Sequence, residues 1–335
     1  MIPRRRILPI FVPHLGCPND CVFCNQRKIS GSLFPASAGQ VAGALAAAEV
    51  WSPPVELAFY GGSFTAIPQE AQRALLAAVQ PFRERGFVAS IRVSTRPDAI
   101  SPEGLGLLRD YGVETVELGA QSMDDRVLAL SGRGHRAEDT VAASRLVRAG
   151  GFRLILQMMT GLPGADRAAD LATARALCEL RPDGVRVYPT VILRDTALEA
   201  LWRQGAYRAH TVLDAVETCA PIVEVFRQAG IPILRLGLNP TEALSGGEAV
   251  GGAYHPALGE LVYSRLYLDQ ARALLRARRQ DFREVTLVVP PREISRMTGR
   301  KKANLLALQA EFGLRSIRVK GGTEQQVTVA IEAVL

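Results

Sequence analysis

HLGCPNDCVFCNQ, residues 14–26, contains three of the five cysteines of this chain. Cys17, Cys21 and Cys24 are spaced C-x3-C-x2-C. The apolar run 7–12 that precedes them predicts a short buried strand, so we expect the cysteines on the loop that leaves its carboxyl end. Residues 18–20, Pro-Asn-Asp, are turn formers that let the backbone curl until the three sulfurs converge.

Three thiolates on one short loop suit an iron–sulfur cluster better than a single metal ion. Such clusters are held by cysteine thiolates, usually four, so a three-cysteine loop leaves one iron of a 4Fe–4S cluster without a protein ligand. Zinc is the alternative, with His14 as a fourth ligand, although structural zinc is typically bound by two separated pairs of ligands. A disulfide is disfavoured, because five cysteines in 335 residues are sparse for a secreted scaffold.

The bulk composition is that of a large globular protein. A chain of 335 residues, 48% hydrophobic and 22% charged, suits an α/β barrel with an appendage. The net charge of +7 admits a nucleic-acid partner. The opening MIPRRRILPIFVPHLGC resembles a signal peptide only superficially, because Pro9 breaks its short apolar segment. With no apolar run near the roughly 18 residues of a membrane helix, we expect a cytoplasmic protein without a membrane partner.

Strand-like and helix-like segments alternate through the first 190 residues. The predicted strands are 7–12, 55–59, 88–93, 114–118, 153–158 and 184–187. The predicted helices are 37–50, 68–83, 102–110, 124–130, 137–149 and 168–180. Such alternation is typical of βαβ units and a parallel sheet. The predicted fold class is therefore α/β, a partial (β/α)6 TIM-like barrel with a small C-terminal α/β extension.

Polar and glycine-rich clusters follow successive predicted strands. They are Tyr60-Gly61-Gly62-Ser63-Phe64, residues 94–98, 117–122, 131–135, 157–163 and 187–190. Each cluster by itself would fit an ordinary loop. Functional groups of such barrels gather at the C-terminal ends of the strands, so their recurrence predicts a site at that end.

These segments resemble the radical S-adenosylmethionine (radical SAM) superfamily, and within it the radical domain of the Elongator catalytic subunit, a tRNA wobble-uridine modifying enzyme. The matching pieces run in the same order over residues 8–207: the cysteine loop, FYGGSF, STRPD, VELGAQS, SGRGH, QMMTGLP and VYPTVILRDTALEALWRQGAY. Weaker similarity extends to oxygen-independent coproporphyrinogen oxidases. No stretch of this sequence matches the acetyltransferase-like domain of that subunit.

The resemblance implies two cofactors, a 4Fe–4S cluster on the three cysteines and S-adenosyl-L-methionine. In the superfamily the open iron is chelated by the amino and carboxylate groups of S-adenosylmethionine. Reduction of the cluster then cleaves the sulfonium and gives a 5′-deoxyadenosyl radical. The resemblance also implies an electron donor, flavodoxin- or ferredoxin-like.

The resemblance further implies which residues bind S-adenosylmethionine. Gly61, Gly62 and Ser63 match a motif whose backbone contacts the methionine amino group. The side chains of Gln121 and Gln157 match polar positions that face the ribose. In the remaining two positions, Arg133 matches the arginine that pairs with the methionine carboxylate, and Phe23 matches an aromatic residue beside the adenine. A guanidinium group suits a carboxylate because both are planar and form two parallel hydrogen bonds.

One position departs from the family pattern. Ser94 stands where a glutamate is common at the start of the TRPD-like segment. A ligand to S-adenosylmethionine is therefore expected to be missing here or to be supplied by another residue.

The sequence predicts a barrel at residues 1–245, followed by two further parts. Residues 246–282 would form a linking segment with a glycine-dense stretch and a basic helix, and residues 283–335 a small α/β extension. The glycine-dense stretch 246–256 is predicted as a loop, either mobile over the barrel mouth or an ordinary surface loop. Its Tyr254 and His255 are candidate substrate contacts. Cys178 and Cys219 lie on helical patterns and are predicted to be buried, inert thiols.

Basic residues are concentrated between residues 265 and 302. Eleven Lys or Arg stand there against four Asp or Glu, an excess equal to the net charge of the whole chain. A solvated helix face is the ordinary explanation for such a run. The alternative is a phosphate-binding face for tRNA or another RNA, with Arg296, Arg300, Lys301 and Lys302 as contacts.

The sequence therefore predicts a radical SAM enzyme that abstracts a hydrogen atom from an RNA base. The second reading within this class is a small-molecule or tetrapyrrole-like substrate. A reading from another class is a non-catalytic partner that binds S-adenosylmethionine or RNA. Formation of 5′-deoxyadenosine without substrate would distinguish an enzyme from such a scaffold.

Overall fold

The computed structural model describes residues 6–12, 17, 21–25, 36–50, 53–277, 283–323 and 328–330. Among them are twelve strands: β1 (Arg6–Phe11), β2 (Val55–Tyr60), β3 (Val88–Thr95), β4 (Val113–Gln121), β5 (Arg153–Thr160), β6 (Gly184–Pro189), β7 (Val191–Leu193), β8 (Ile233–Leu236), β9 (Ala249–Gly252), β10 (Glu284–Val289), β11 (Ser316–Gly321) and β12 (Thr328–Ala330).

The same residues form twelve α-helices. They are α1 (Ala38–Glu49), α2 (Gln69–Ala77), α3 (Gln80–Glu84), α4 (Pro102–Asp110), α5 (Asp125–Leu130), α6 (Ala137–Ala149), α7 (Arg167–Glu179), α8 (Ala197–Arg203), α9 (Val212–Gln228), α10 (Leu258–Arg276), α11 (Ile294–Thr298) and α12 (Ala303–Phe312). None of these helices is both long and apolar enough to cross a membrane.

The main sheet has the strand order β1-β2-β3-β4-β5-β6-β8, and every neighbouring pair is parallel. It is curled into a half-barrel, which confirms the predicted fold class. The six strands predicted before residue 190 are all present, and β8 adds a seventh. Strands covered on both faces read as near-continuous apolar runs, and β2 is buried along five of its six residues.

Two predicted helices are broken in the structure. The segment predicted as one helix over 68–83 forms α2 and α3, because Pro81 lacks a backbone N–H and cannot continue a helix. Within the C-terminal extension, the sequence of residues 292–312 also predicts one helix, but it is interrupted at Gly299, whose φ of 74° lies in the left-handed region. The interruption separates α11 from α12.

The glycine-dense stretch is not a loop throughout, so that prediction was wrong. Residues 249–252 form β9, which pairs antiparallel with β7. Glycine can occupy a strand position where a neighbouring backbone approaches closely, because it has no side chain. A Cβ on Gly252 would lie 2.7 Å from the carbonyl oxygen of Thr190, so this position has no room for a side chain.

Two hydrophobic cores are joined by α10. Leu258, Val262 and Leu266 on its first half pack into the core of the half-barrel. On its second half, Leu268, Ala271 and Leu275 pack into a separate core with β10, α11 and α12. β10 is the middle strand of the small sheet β11-β10-β12. The predicted three-part division of the chain stays a prediction.

Candidate active site

A cavity of about 380 Å³ opens at the carboxyl ends of the parallel strands. Its lining includes the three cysteines of the 14–26 stretch and residues from the ends of β2, β3, β4, β5 and β6. Of the predicted site residues, Phe23, Gly61, Gly62, Gln121, Arg133, Gln157 and the three cysteines all line it. Segments that are distant in sequence thus meet where parallel strands end, as this fold requires.

The cysteine segment is tied to the barrel by its backbone. The N–H of Val22 donates to the carbonyl of Ser131, and the carbonyl of Val22 accepts from the N–H of Leu198 at 2.7 Å. A turn hydrogen bond of 2.9 Å joins the N–H of Cys24 to the carbonyl of Cys21. These contacts hold two of the three thiols at the cavity wall.

The thiols share the cavity without forming a preassembled ligand set. No group of three or more His, Cys, Asp or Glu side chains that could hold a metal ion occurs among the described residues. Residues 13–16 and 18–20 lie outside that part of the chain, and so does His14, the predicted alternative zinc ligand. The zinc alternative is therefore left as a prediction.

Arg133 joins the cysteine segment to β4. Its Nη1 donates to the Sγ of Cys21 at 3.4 Å, and its Nη2 donates to the carbonyl oxygen of Gly119 at 2.7 Å. Gly119 leaves room for this arrangement, because a Cβ there would lie 3.3 Å from Nη2 of Arg133 and 2.9 Å from Nε2 of Gln121. Arg133 thus connects the cysteine segment to the end of β4 through its two terminal nitrogens.

The two predicted glutamines lie side by side. Nε2 of Gln157 donates to Oε1 of Gln121 at 3.2 Å. Gln121 has a φ of 64°, and the pairing of β4 with β5 shifts register between Gly119 and Gln121. Such a bulge turns a side chain in a new direction, and left-handed backbone at a non-glycine residue is often found at functional sites.

Ser63 differs from its two glycine neighbours. Gly61 and Gly62 line the cavity with φ values of 74° and 75°, whereas the side chain of Ser63 is fully buried beneath it. Its Oγ is hydrogen bonded to Oγ1 of Thr95 at 2.8 Å and accepts from the N–H of Arg96. The side chain of Ser63 therefore braces β3, and the predicted role of its backbone stays a prediction.

Two polar residues near the carboxyl end of β3 line the cavity. Ser94 lies on the strand, and Arg96 directly follows it. The Nε and Nη2 of Arg96 both donate to the carboxylate of Asp98 at 2.9 Å. Burial alone would raise the pKa of Asp98, but the hydrogen bonds and the positive charge of Arg96 together contribute to holding that pKa below its usual value. Arg96 Nη1 and Ser94 Oγ are buried and have no hydrogen-bond partner within the described residues. Buried polar atoms without partners mark places where a ligand can bind.

His135, from the SGRGH turn, lies close to Arg96 and Arg133. Burial, and after it the positive charge of Arg133, lowers the pKa of His135 to about 4. The imidazole is therefore neutral at physiological pH. It adds no positive charge to the surroundings of the cysteines, so Arg96 and Arg133 carry that charge.

The floor of the cavity is a buried network of charges that the sequence analysis missed. Arg92 pairs with Glu56 at 2.9 Å and with Glu117 at 3.4 Å. Arg186 pairs with Glu117 at 2.9 Å and donates to the hydroxyl of Tyr60 at 2.7 Å. Each charge interrupts an apolar strand (VELAF, SIRVS, VELGA, GVRVY), and that pattern could have revealed the network.

Burial, reinforced by the charge of Glu117, raises the pKa of Tyr60 well above its ordinary value. Burial also raises the pKa of Tyr188, whose hydroxyl accepts from Nη1 of Arg186 at 3.3 Å. Both phenols therefore stay protonated. The floor presents two neutral hydroxyls held by Arg186 to whatever occupies the cavity.

The glycine-dense stretch contributes less than predicted. Tyr254 and His255, the candidate substrate contacts, do not line the cavity. The Tyr254 hydroxyl is hydrogen bonded to Oγ of Ser245 at 2.9 Å, and Nδ1 of His255 accepts from the N–H of Ala257. Both side chains serve local structure. Leu244, just before this stretch, does line the cavity.

The two other cysteines are remote from the cavity. Cys219 is fully buried, and burial raises the pKa of its thiol to about 12, as expected of an inert core cysteine. Cys178 is only half-buried, so the prediction that it is buried was wrong.

Five of the nine Lys and Arg residues of the predicted basic segment that the structure describes form ion pairs. Its arginines that contact a carboxylate within 4 Å are Arg265, Arg272, Arg276, Arg292 and Arg296. Arg296, a predicted RNA contact, pairs with Glu260 and Glu293 at 2.7 Å each and lies over the ring of Tyr263. Two carboxylates and an aromatic ring already contact this guanidinium group, and its predicted contact with RNA stays a prediction.

Comparison with known proteins agrees with this geometry. The sequence model of the radical SAM superfamily matches residues 11–177, and that of the radical SAM C-terminal domain matches residues 182–268. The chain belongs to the radical SAM superfamily. Its cysteine segment, half-barrel and cavity are thus the radical SAM core, and the relatives described next point to the Elongator-like group of radical SAM enzymes.

Two curated relatives illustrate the similarity of this radical SAM protein. Elongator complex protein 3 of Mus musculus is 29% identical over 189 residues, covering 50% of this chain and 35% of the mouse protein. The tRNA uridine(34) acetyltransferase of Dehalococcoides mccartyi (strain CBDB1) is 38% identical over 118 residues, which are 34% of this chain and 26% of that protein. The chain thus spans about a third or less of the length of these relatives.

Two solved structures share the radical SAM fold. The archaeal Elp3 of Methanocaldococcus infernus with an N-terminal deletion superposes with a TM-score of 0.61 at 22% identity, covering 80% of this chain and 64% of that chain. Coproporphyrinogen III oxidase of Escherichia coli has a TM-score of 0.50 at 20% identity, covering 68% and 54%. At sequence identities of 22% and 20%, the similarity to these two structures shows a shared fold and nothing more.

Proposed function

We propose that this protein holds a 4Fe–4S cluster with Cys17, Cys21 and Cys24 and cleaves S-adenosyl-L-methionine reductively. With both groups bound, the cluster would supply one electron, received from a flavodoxin- or ferredoxin-like donor, for cleavage of the sulfonium bond into methionine and a 5′-deoxyadenosyl radical, which would remove a hydrogen atom from the substrate. The observation that carries this proposal is the meeting of all three thiols with the strand ends in one cavity.

The residues of the cavity fit both groups. Cysteine thiolates carry negative charge, and the guanidinium groups of Arg96 and Arg133 face the same cavity as the thiols. The unpartnered Nη1 of Arg96 can donate to a carboxylate, and the unpartnered Oγ of Ser94 can bind an ammonium group. An amino acid moiety such as that of S-adenosylmethionine offers both. Ser94 would thus take part of the role that a glutamate has in related proteins.

The substrate that we propose is a base of an RNA, with tRNA as the first choice. Two observations support it: relatives of this chain are named tRNA uridine(34) acetyltransferases, and the chain carries a net charge of +7. A polyanionic partner is attracted by such a charge. The cavity floor offers the hydroxyls of Tyr60 and Tyr188 as hydrogen-bond partners for a base.

Anaerobic turnover tests this proposal. The reconstituted protein with reductant should form 5′-deoxyadenosine from S-adenosylmethionine, and Cys21→Ser should abolish it. The half-buried Cys178, which does not line the cavity, gives the matched control Cys178→Ser, which should retain full turnover. Protein without any 5′-deoxyadenosine formation would instead be a non-catalytic binding protein.

The substrate is tested separately by mass spectrometry of nucleosides. Total tRNA from cells that lack the protein should lose one modified nucleoside, and incubation with the purified enzyme should restore it. If tRNA neither binds to the enzyme nor alters formation of 5′-deoxyadenosine, the RNA assignment fails and a small-molecule substrate takes its place.

A further inference from the structure

The small C-terminal sheet contains two helices between two parallel strands. β10 and β11 pair in parallel register from Glu284 opposite Ser316. Between them the chain forms α11 and α12, and Met297 and Leu308 from these helices are fully buried in the core of this sheet. The turn between the helices is Gly299-Arg300-Lys301-Lys302, called the GRKK loop below.

The GRKK loop is fixed to the rest of the protein at its base. The side-chain amide of Asn304 donates to the carbonyl oxygen of Ser264 on α10 at 2.9 Å and to that of Arg296 at 3.1 Å. A Cβ on Gly299 would lie 2.9 Å from Cγ of Asn304, so only glycine fits there. These contacts fix the base of the loop, and a preorganised base reduces the entropy lost when a ligand binds.

Two lysines of the loop adopt backbone conformations that favour glycine. Lys301 has a φ of 52° and Lys302 a φ of 64°. A side chain in this region contacts its own backbone closely, which is why glycine is the usual residue there. Lysine at both positions, despite that cost, indicates that its charge has a use.

Four described basic residues of the segment form no ion pair with a described carboxylate, and three of them lie on this loop; the fourth is Arg283. Arg300, Lys301 and Lys302 are exposed and form no ion pair with any described residue. The other arginines of the segment that were named above are neutralised by carboxylates. The first turn of α12 has no acidic residue and no side-chain cap, so its N–H groups add partial positive charge beside the loop.

We propose that the GRKK loop binds the phosphates of a single-stranded segment of RNA. KH domains clamp about four backbone nucleotides of a single strand with a Gly-x-x-Gly loop. The GRKK loop has the same length and left-handed backbone at its first and fourth positions, with Lys302 in place of the second glycine. Leu306, one turn further along α12, is 59% exposed and offers an apolar surface for an unstacked base.

This inference rests on the proposed function, because a second contact to RNA is useful to an enzyme whose substrate is RNA. It names a surface outside the catalytic cavity. The two can fail separately, since formation of 5′-deoxyadenosine without RNA reports on the cavity and binding of RNA reports on the loop.

Fluorescence anisotropy of the reconstituted full chain tests the loop. The probe is a labelled single-stranded RNA of about ten nucleotides, longer than the roughly four that such a loop clamps, and a duplex of the same sequence is the competitor. The test variant is Arg300→Gln with Lys301→Gly and Lys302→Gly. Glycine suits the backbone at both positions, so this variant should unfold at the same or a higher temperature than the wild type.

The matched control removes three charges elsewhere. Arg73, Arg145 and Arg175 are exposed on α2, α6 and α7, and their triple substitution by Gln changes the net charge by the same amount. The loop variant should lower the slope of log Kd against log salt by about two, since each phosphate contact to a single strand contributes about 0.7. The control should leave the slope unchanged.

Three results would overturn the proposal. The loop variant could bind with the affinity and the salt dependence of the wild type. The control could weaken binding as much as the loop variant does, which would show that net charge alone drives binding. The duplex could compete as well as the unlabelled single strand, which would mean that the surface does not select single strands.

Discussion

Nη1 of Arg133 donates to the Sγ of Cys21 over 3.4 Å, although 112 residues separate them in the chain. The contact links the segment that would hold the cluster to the turn that follows α5. The same guanidinium group also donates to Gly119 at the end of β4. Arg133 is therefore placed to respond both to the charge on the cysteines and to a carboxylate in the cavity.

We predict that Arg133→Ala weakens binding of S-adenosylmethionine by about 1.5–3 kcal/mol, the usual loss for a hydrogen bond to a charged group. The iron content should stay that of the wild type, because the three cysteines remain. Calorimetric titration measures the affinity. Arg136→Ala, which removes a neighbouring exposed arginine, is the control and should change nothing. An unchanged affinity of Arg133→Ala would refute its predicted role.

Gly119→Ala should impair cofactor binding without unfolding the protein. The added methyl group would lie 2.9 Å from Nε2 of Gln121 and 3.3 Å from Nη2 of Arg133, so both side chains must shift. We expect about a fivefold loss of affinity for S-adenosylmethionine, since one hydrogen bond is worth roughly 1 kcal/mol. Gly106→Ala, with nothing within 4 Å of the new methyl group, is the matched control. Equal affinities of the two variants would contradict the prediction.

Arg186→Met should destabilise the fold by about 3–5 kcal/mol, because it leaves the buried charge of Glu117 with only the longer contact to Arg92. Urea denaturation measures the loss. Arg203→Met removes a largely exposed partner of Glu199 and should cost less than about 1 kcal/mol. Similar losses for both variants would show that the floor network contributes no more than a surface ion pair.

Asp170 should make stability fall as the pH rises from about 4 to 7. Burial raises its pKa to about 7, although the hydrogen bond from the N–H of Gly161 opposes the shift. The folded state then holds a proton that the unfolded state has released, so raising the pH through this range favours unfolding. Asp170→Asn should flatten that part of the melting-temperature profile. The same slope in both proteins would show that Asp170 does not cause it.

The sequence predicted the half-barrel well because its strands are short apolar runs between helices, and each of the six predicted strands lies within three residues of its predicted position at either end. The cavity residues were predicted from motifs at strand ends, which a parallel sheet brings to one edge. Pro81 indicates a helix break, because proline cannot continue a helix, but the helical periodicity of the residues on both sides predicts one continuous helix.

The charges of the floor network are visible in the sequence as interruptions of apolar strands, but their pairing, like that of the arginines in the basic segment, could not be predicted from local pattern. Arg92, Glu117 and Arg186 lie on three different strands, and their pairing depends on the register of the sheet. Arg296 looked available for RNA because its partner Glu260 is 36 residues away in sequence. Tertiary ion pairs of this kind decide which charges a surface presents, and they appear only once the helices are packed.

The central claim is that the three cysteines hold a redox-active cluster that is used on S-adenosylmethionine. Electron paramagnetic resonance of anaerobically reconstituted, reduced protein, with iron, sulfide and zinc measured on the same sample, tests it most directly. We predict about four iron and four sulfide per chain, as for one cubane cluster, and a signal that changes when S-adenosylmethionine is added. Stoichiometric zinc without acid-labile sulfide, or a cluster signal that does not respond to S-adenosylmethionine, would contradict the account.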